Sequence, residues 1–359
     1  MRKLLVGVLM GFGLAVQAQQ IIPCVTDEVH YQMQQQNPQL AIEEARANEE
    51  TRKIADRLMQ NTNFAKKGSV MIIPVVFHVI HQNGMENISQ AQMMDQIRIL
   101  NEDFRKKTGT NGGKSTEAVA TDMEIEFRLA QVDPSGNRHD GINRIESEYT
   151  NGDALTNRDL PKSLIQWDPK RYLNIWVVNF GGDLDGVLGY AQFPEATTLS
   201  GLNYPPFTAS TDGVIIGYQF FGNLDYNDGS FNLDATYGYG RTVTHEVGHW
   251  LGLRHIWGDG VCLTDYCLDT PPQQSENYTA GAYPFNPNSC TSPTGTNNTT
   301  PNGANGEMFM NFMDYVPDVS MYMFTEDQRT RAQAAMANGT YRKLLGTHGL
   351  CGTASPTPA

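Results

Sequence analysis

Three histidines and a glutamate crowd into one short stretch, His245-Glu246-Val247-Gly248-His249-Trp250-Leu251-Gly252-Leu253-Arg254-His255. On a helix of 3.6 residues per turn, His245 and His249 lie one turn apart and point the same way, so their imidazoles can grip a single ion. Glu246, one residue further round, reaches the space beside that ion. Gly252 can take a positive φ and end the helix sharply, letting the chain fold back to present His255 as a third ligand. Three neutral imidazoles suit zinc, and three protein ligands leave one position open for water, the arrangement of a catalytic site. Glu246 is then placed to act as general base in hydrolysis.

Such a site needs a scaffold, and the chain carries signals for one. The run Val70 to Ile80 is continuously apolar and reads as a strand buried on both faces. Ser89, with Gln92 three residues on, caps a helix whose Met93, Ile97, Leu100 and Phe104 share a face. Ile125, Phe127 and Leu129 alternate with polar residues as in a half-buried strand, and Leu173 to Phe180 and Val214 to Phe221 read as further strands. The segment Gly186 to Pro194 reads as an edge strand closed by proline. Along it Leu188, Gly189 and Tyr190 would pair antiparallel with an extended peptide. Beyond the histidines the chain is loop-rich until Thr325, with Gln328, caps a last helix ending near Asn338 and Gly339. The expected fold is therefore α+β: an upper twisted mixed sheet with the histidine helix, and an irregular lower part with a C-terminal helix.

The histidine string, the later Asn311-Phe312-Met313-Asp314-Tyr315, the Leu188 to Pro194 strand and Asp269-Thr270-Pro271 together resemble the metzincin zinc peptidases, and among them the pappalysin family in its bacterial form. The likeness spans about Val70 to Asn338, and also the place of an early cysteine. It implies that Met313 forms the turn beneath the imidazoles and that Tyr315 steadies the oxyanion of the tetrahedral intermediate. It places Asp318 in the wall of the pocket for the residue after the cut bond, where a carboxylate selects Arg, with Lys second. It also implies a calcium site, of hard oxygen ligands, from Asp259, Asp265, Thr270 and the Leu268 carbonyl.

Five cysteines leave one over. By the same resemblance Cys262 pairs with Cys290; Cys267 with Cys351 is then a default, because the position where the family usually has its next cysteine is Ser320. The odd one is Cys24, whose thiolate could fill the zinc's open position and hold the enzyme latent. Residues 1–18 have the positive start, apolar run and small-residue ending of an export signal. Residues 19–56 read as a removable leader, cut before Arg46, Arg52 or Arg57 and most readily at Thr51-Arg52. The peptidase parts follow at 57–255 and 256–345, with a tail at 346–359.

The chain has 359 residues and a net charge of −13, which disfavours a nucleic-acid surface, and no later segment is long and apolar enough for a membrane span. The expectation is a secreted monomeric zinc endopeptidase acting on proteins and peptides, with zinc catalytic and calcium structural. Two alternatives stand beside it: a metzincin of broad or neutral specificity, and a catalytically silent, zinc-stabilised adhesin or binding module.

Overall fold

A computed structural model describes residues 21–60, 70–151, 157–194, 209–284, 290, 305–342, 344–347 and 349–351. The export signal at 1–18, the Ser/Thr/Asn-rich stretch around 291–304 and the tail beyond residue 351 lie outside the described residues, as does the Arg57 side chain. Two helices come first, α1 (Thr26–Gln36) and α2 (Pro38–Gln60). Then follow β1 (Met71–His81), α3 (Gln90–Phe104), β2 (Ile125–Leu129), β3 (Ile142–Glu146), α4 (Leu160–Leu164), β4 (Leu173–Val178), β5 (Gly189–Ala191) and β6 (Val214–Gly217). The histidine helix α5 (Arg241–Trp250) and the late helix α6 (Glu326–Asn338) complete the order.

The described strands form one mixed sheet in the order β2-β1-β4-β6-β5, with β3 also pairing along β1. All pairs are parallel except β5 on β6, which is antiparallel. Parallel strands are covered on both faces, which accounts for the unbroken apolar run of β1, whose residues from Ile73 on are all buried. One face packs against α3 and α5 in a core that holds Phe77, Ile97, Leu100, Phe104, Phe127, Val243, Val247 and Trp250. Strand β5 is left at the sheet's edge, where an added strand can be received.

Local chemistry explains the boundaries. The Ser89 hydroxyl accepts the Gln92 N–H to start α3, and Thr325 and Gln328 form a reciprocal capping box on α6. The strand expected over 214–221 ends at Gly217, because Tyr218–Phe220 turn into a 3₁₀ segment. There the Tyr218 and Phe221 carbonyls accept the Gln92 side-chain N–H groups, at 3.3 and 2.6 Å, in place of a neighbouring strand's amides. The edge strand is likewise shorter than its apolar pattern.

Cys262 and Cys290 form a disulfide. Cys267 and Cys351 do not pair, contrary to the default expectation, and both are buried free thiols. Cys267 sits with Asp265 and Asp269 near α6, whereas Cys351 lies near Arg128 and Glu126, its neighbour Leu350 accepting a backbone bond from Gln131 beside β2.

Candidate active site

Helix α5 starts at Gly240, which has a φ of 80° and offers no side-chain cap. The cap comes from across the fold: Asp318 Oδ2 accepts the N–H groups of Tyr239 and Arg241, at 2.9 and 3.0 Å. A carboxylate at a helix N-terminus satisfies orphan donors and complements the helix dipole. One turn in, Asp103 accepts from Thr244 Oγ1 at 2.7 Å and pairs with Arg241, fixing the helix against α3. At the other end Gly252 has a φ of 89°, the left-handed conformation that the reversal requires. Gly248 faces Met313 so closely that an added Cβ would lie 2.5 Å from its sulfur. Met313 thus lies directly under the histidine helix.

The reversal brings three ring nitrogens together. The Nε2 atoms of His245, His249 and His255 lie 3.1 Å apart in every pairing. Each Nδ1 is engaged elsewhere: with the Phe312 carbonyl at 2.7 Å, the Leu253 carbonyl at 2.8 Å and Asp259 Oδ1 at 2.8 Å, respectively. Those acceptors put the ring protons on Nδ1, so the three Nε2 atoms face one another with lone pairs, an arrangement that calls for a shared cation. Tetrahedral zinc with bonds of 2.0–2.1 Å holds neighbouring nitrogens about 3.3 Å apart, so the donor set fits that ion. Burial keeps His245 near 3 and His249 well below the usual histidine value, so both stay neutral. His255 is buried too, yet Asp27 and Asp259 pull it upward, so a proton competes with the metal for its nitrogen.

Asp259 is therefore placed differently from the expected calcium set. Its Oδ1 takes the His255 N–H and its Oδ2 takes Arg254 Nε at 2.7 Å. Of the other three, Asp265 and Thr270 do meet, with Thr270 Oγ1 at 2.8 and 2.9 Å from the two Asp265 oxygens, while Leu268 is exposed and gives its N–H to Asp327. Burial pushes Asp265 up to about 8 and Asp269 up to about 7.

The remaining expected residues gather round the imidazoles. Glu246 is fully buried and its carboxyl is pushed up to about 8, burial outweighing the hydrogen bonds it receives. Strand residue Gly189 lies against it, an added Cβ there falling 3.1 Å from Glu246 Cγ. Tyr315 packs its ring on His245, His255 and Trp257 and donates its phenol to the Cys24 carbonyl at 3.3 Å. Cys24 Sγ joins the three imidazole nitrogens in one buried group of possible metal ligands. Burial and the nearby Glu246 push that thiol up to about 12, a balance that a bound cation would reverse.

The segment bearing Cys24 lies along the edge strand. Ile22 forms a parallel bridge with Val187, giving its N–H to the Gly186 carbonyl at 2.9 Å and taking the Leu188 N–H at 3.1 Å; Val25 N–H reaches the Gly189 carbonyl at 3.3 Å. Then α1 begins. Sequence reasoning missed α1, and with it Thr26 on Glu246 and Asp27 on His255. The α1 stretch is polar and glutamine-rich, and what makes its first turn buried is the body it docks on. Asp259, four residues beyond His255, was legible as a carboxylate in reach, although its loop position pointed to calcium.

The pregnancy-associated plasma protein-A peptidase profile, Peptidase M43, matches residues 156–337, which carry the edge strand, all three histidines, Glu246 and Met313. The chain belongs to this peptidase family. Among the relatives of this family member is an extracellular metalloprotease of Uncinocarpus reesii, 30% identical over 264 residues, 72% of this chain and 74% of that protein. Among solved structures, mature mirolysin of Tannerella forsythia in complex with a cleaved peptide is 38% identical, covers 78% of this chain and 99% of its own, and superposes with a TM-score of 0.61. A promirolysin mutant from the same organism is 35% identical over 90% of this chain and 96% of its own, with a TM-score of 0.69. The protein is thus a metallopeptidase with the metzincin fold of mirolysin. Among its described residues no helix is long and apolar enough to cross a membrane.

Proposed function

We propose that the protein is an exported zinc endopeptidase, held latent by residues 19–56, that cuts before arginine. The observation that carries this reading is the convergence of three Nε2 lone pairs at 3.1 Å beside a buried carboxyl, Glu246, which takes no part in holding the ion. Zinc, when bound by His245, His249 and His255, supplies Lewis acidity that polarises a carbonyl and acidifies water. Glu246 accepts the proton of the attacking water and passes it to the leaving amine; its raised affinity for a proton suits both halves of that task. The Tyr315 phenol, whose present acceptor is a leader carbonyl, turns to the oxyanion of the substrate.

Substrate main chain pairs with Leu188, Gly189 and Tyr190 on the open side of β5. Asp318 provides the arginine preference. One of its oxygens caps α5, and the other, Oδ1, is buried without a hydrogen-bond partner among the described residues. A buried carboxylate oxygen left unpaired is costly, and a guanidinium in the pocket satisfies it. Calcium, on this reading, is held by Asp265, Thr270 and the Leu268 carbonyl, the accumulated acid of that loop favouring a cation. Latency follows from Cys24, whose thiolate would hold the zinc together with the three histidines while its chain covers the edge strand. Arg46 and Arg52 lie on α2, which is helical and so unsuited to an extended peptide-binding strand until the leader loosens.

Sequencing the products of a mixed peptide pool tests activity and preference together. New N-termini should be arginine, and a zinc chelator should abolish them; chelator-resistant cleavage, or cuts before neutral residues only, would contradict the reading.

A further inference from the structure

Thr26 sits at the centre of the leader's contact with the catalytic groups and is 1% exposed. Its backbone N–H points at Cys24 Sγ, 3.3 Å away. Its hydroxyl lies 2.9 Å from the Ala191 N–H of the edge strand and 3.0 Å from Glu246 Oε2. The Ala191 amide is a donor only, so the Thr26 oxygen accepts from it and the single hydroxyl proton goes to Glu246. One side chain thereby ties up a main-chain donor of the substrate strand and an oxygen of the general base.

We infer that Thr26 is a second latch of the zymogen, one that withholds the general base independently of the thiol that covers the metal. The inference rests on the reading of residues 19–56 as the inhibitory leader, and goes beyond it by assigning latency to a hydroxyl. Cys24, as a fourth possible ligand beside the three imidazoles, would exclude water from a bound zinc, and Thr26 occupies a Glu246 oxygen that would otherwise receive that water. A leader whose thiol has let go of the metal is still held by Glu246 and β5. Both bonds are buried, where a donor or acceptor left without its partner is costly.

The test uses the full-length, zinc-loaded zymogen and follows its self-activation for the parent, Thr26→Val, Thr26→Ser, Cys24→Ser and the Cys24→Ser/Thr26→Val double variant. Valine keeps the shape and the N–H to sulfur but removes the hydroxyl. Activation of Thr26→Val should be faster by about ten- to a hundredfold, and that of Thr26→Ser within about threefold of the parent. In the Cys24→Ser background the valine substitution should accelerate activation again. Because each leader variant yields the same mature chain, equal kcat/KM after activation checks that the body folded.

A second readout does not depend on activity. Amide hydrogen exchange over Thr26–Gln36, measured on uncleaved zymogen, should quicken in Thr26→Val, and this effect should shrink when Glu246 is Ala, since the two residues are coupled. A valine variant matching the parent, valine and serine variants that accelerate alike, or an additive cycle with Glu246→Ala would each overturn the assignment. A parental time course for Cys24→Ser, with Thr26→Val still fast, would sink the thiol reading and leave the hydroxyl latch standing.

Discussion

Asp259 Oδ1 accepts a hydrogen bond from His255 Nδ1 at 2.8 Å, and Arg254 holds the other carboxylate oxygen at 2.7 Å. On the proposed reading His255 is the ligand contributed by the loop after the reversal, and the His245 and His249 rings on the helix are oriented by backbone carbonyls instead. The ligand with the least secondary structure around it therefore has the strongest outer acceptor. Replacing Asp259 with Asn keeps the shape but can present an N–H to the imidazole and select the wrong tautomer. Zinc affinity of Asp259→Asn, measured by competition with a chromophoric chelator, should fall about 10- to 100-fold.

Arg342 and Asp212 form a fully buried pair, with Arg342 Nη1 at 2.7 and 2.8 Å from the two carboxylate oxygens. The guanidinium also stacks 4.0 Å over the Trp250 ring and gives its Nε–H to the Trp250 carbonyl. Asp212 in turn accepts from Trp250 Nε1 and from Gln192 at the end of the edge strand. The chain after α6 is thus pinned to the end of the histidine helix. Arg342→Ala strands a buried carboxylate and should cost about 3–5 kcal/mol in urea unfolding. The double variant Arg342→Met/Asp212→Asn should recover part of that loss, since it removes the uncompensated charge.

If Asp318 selects arginine as proposed, that selectivity has a pH dependence whose sign is fixed. Burial lifts its carboxyl from 3.8 to about 6, against the pull of the Arg241 and Tyr239 N–H groups. A raised folded value means that the protonated form is favoured by folding: the stabilisation is full below about 3.8 and is lost as pH rises through about 6. Above that pH Asp318 is charged while its Oδ1 has no hydrogen-bond partner among the described residues, and a substrate guanidinium in the proposed pocket would supply one. The ratio of kcat/KM for arginine over alanine after the scissile bond should climb through about pH 6 and level off. In Asp318→Asn the ratio should be low and flat.

The site was legible where chemistry and periodicity coincide. His245, Glu246, His249, Gly252 and His255 are fixed by helix geometry and one glycine, and the structure puts the three imidazoles together. The frame of β1, α3, β2, β4 and α6 follows from apolar period and caps, each a local property. Long-range placements did not show. Asp318 caps a helix more than 70 residues upstream, and Asp259 turns toward His255 because the loop's left-handed residues, Asp259 among them at a φ of 61°, direct it there. Strand β3 is only partly buried and mostly polar, so its pairing on β1 leaves no alternation to read. Cys267 and Cys351 were joined only by counting, and a count carries no distance.

The central claim is that Glu246 does the proton chemistry of a metal-dependent hydrolysis without holding the metal. Zinc content and casein cleavage of mature Glu246→Ala protein, set beside the parent, test it most directly. The prediction is one zinc per chain in both, with kcat/KM in the variant lower by about 10²- to 10⁴-fold, the usual reach of a general base. A variant that keeps its zinc and cleaves casein as fast as the parent would contradict the account.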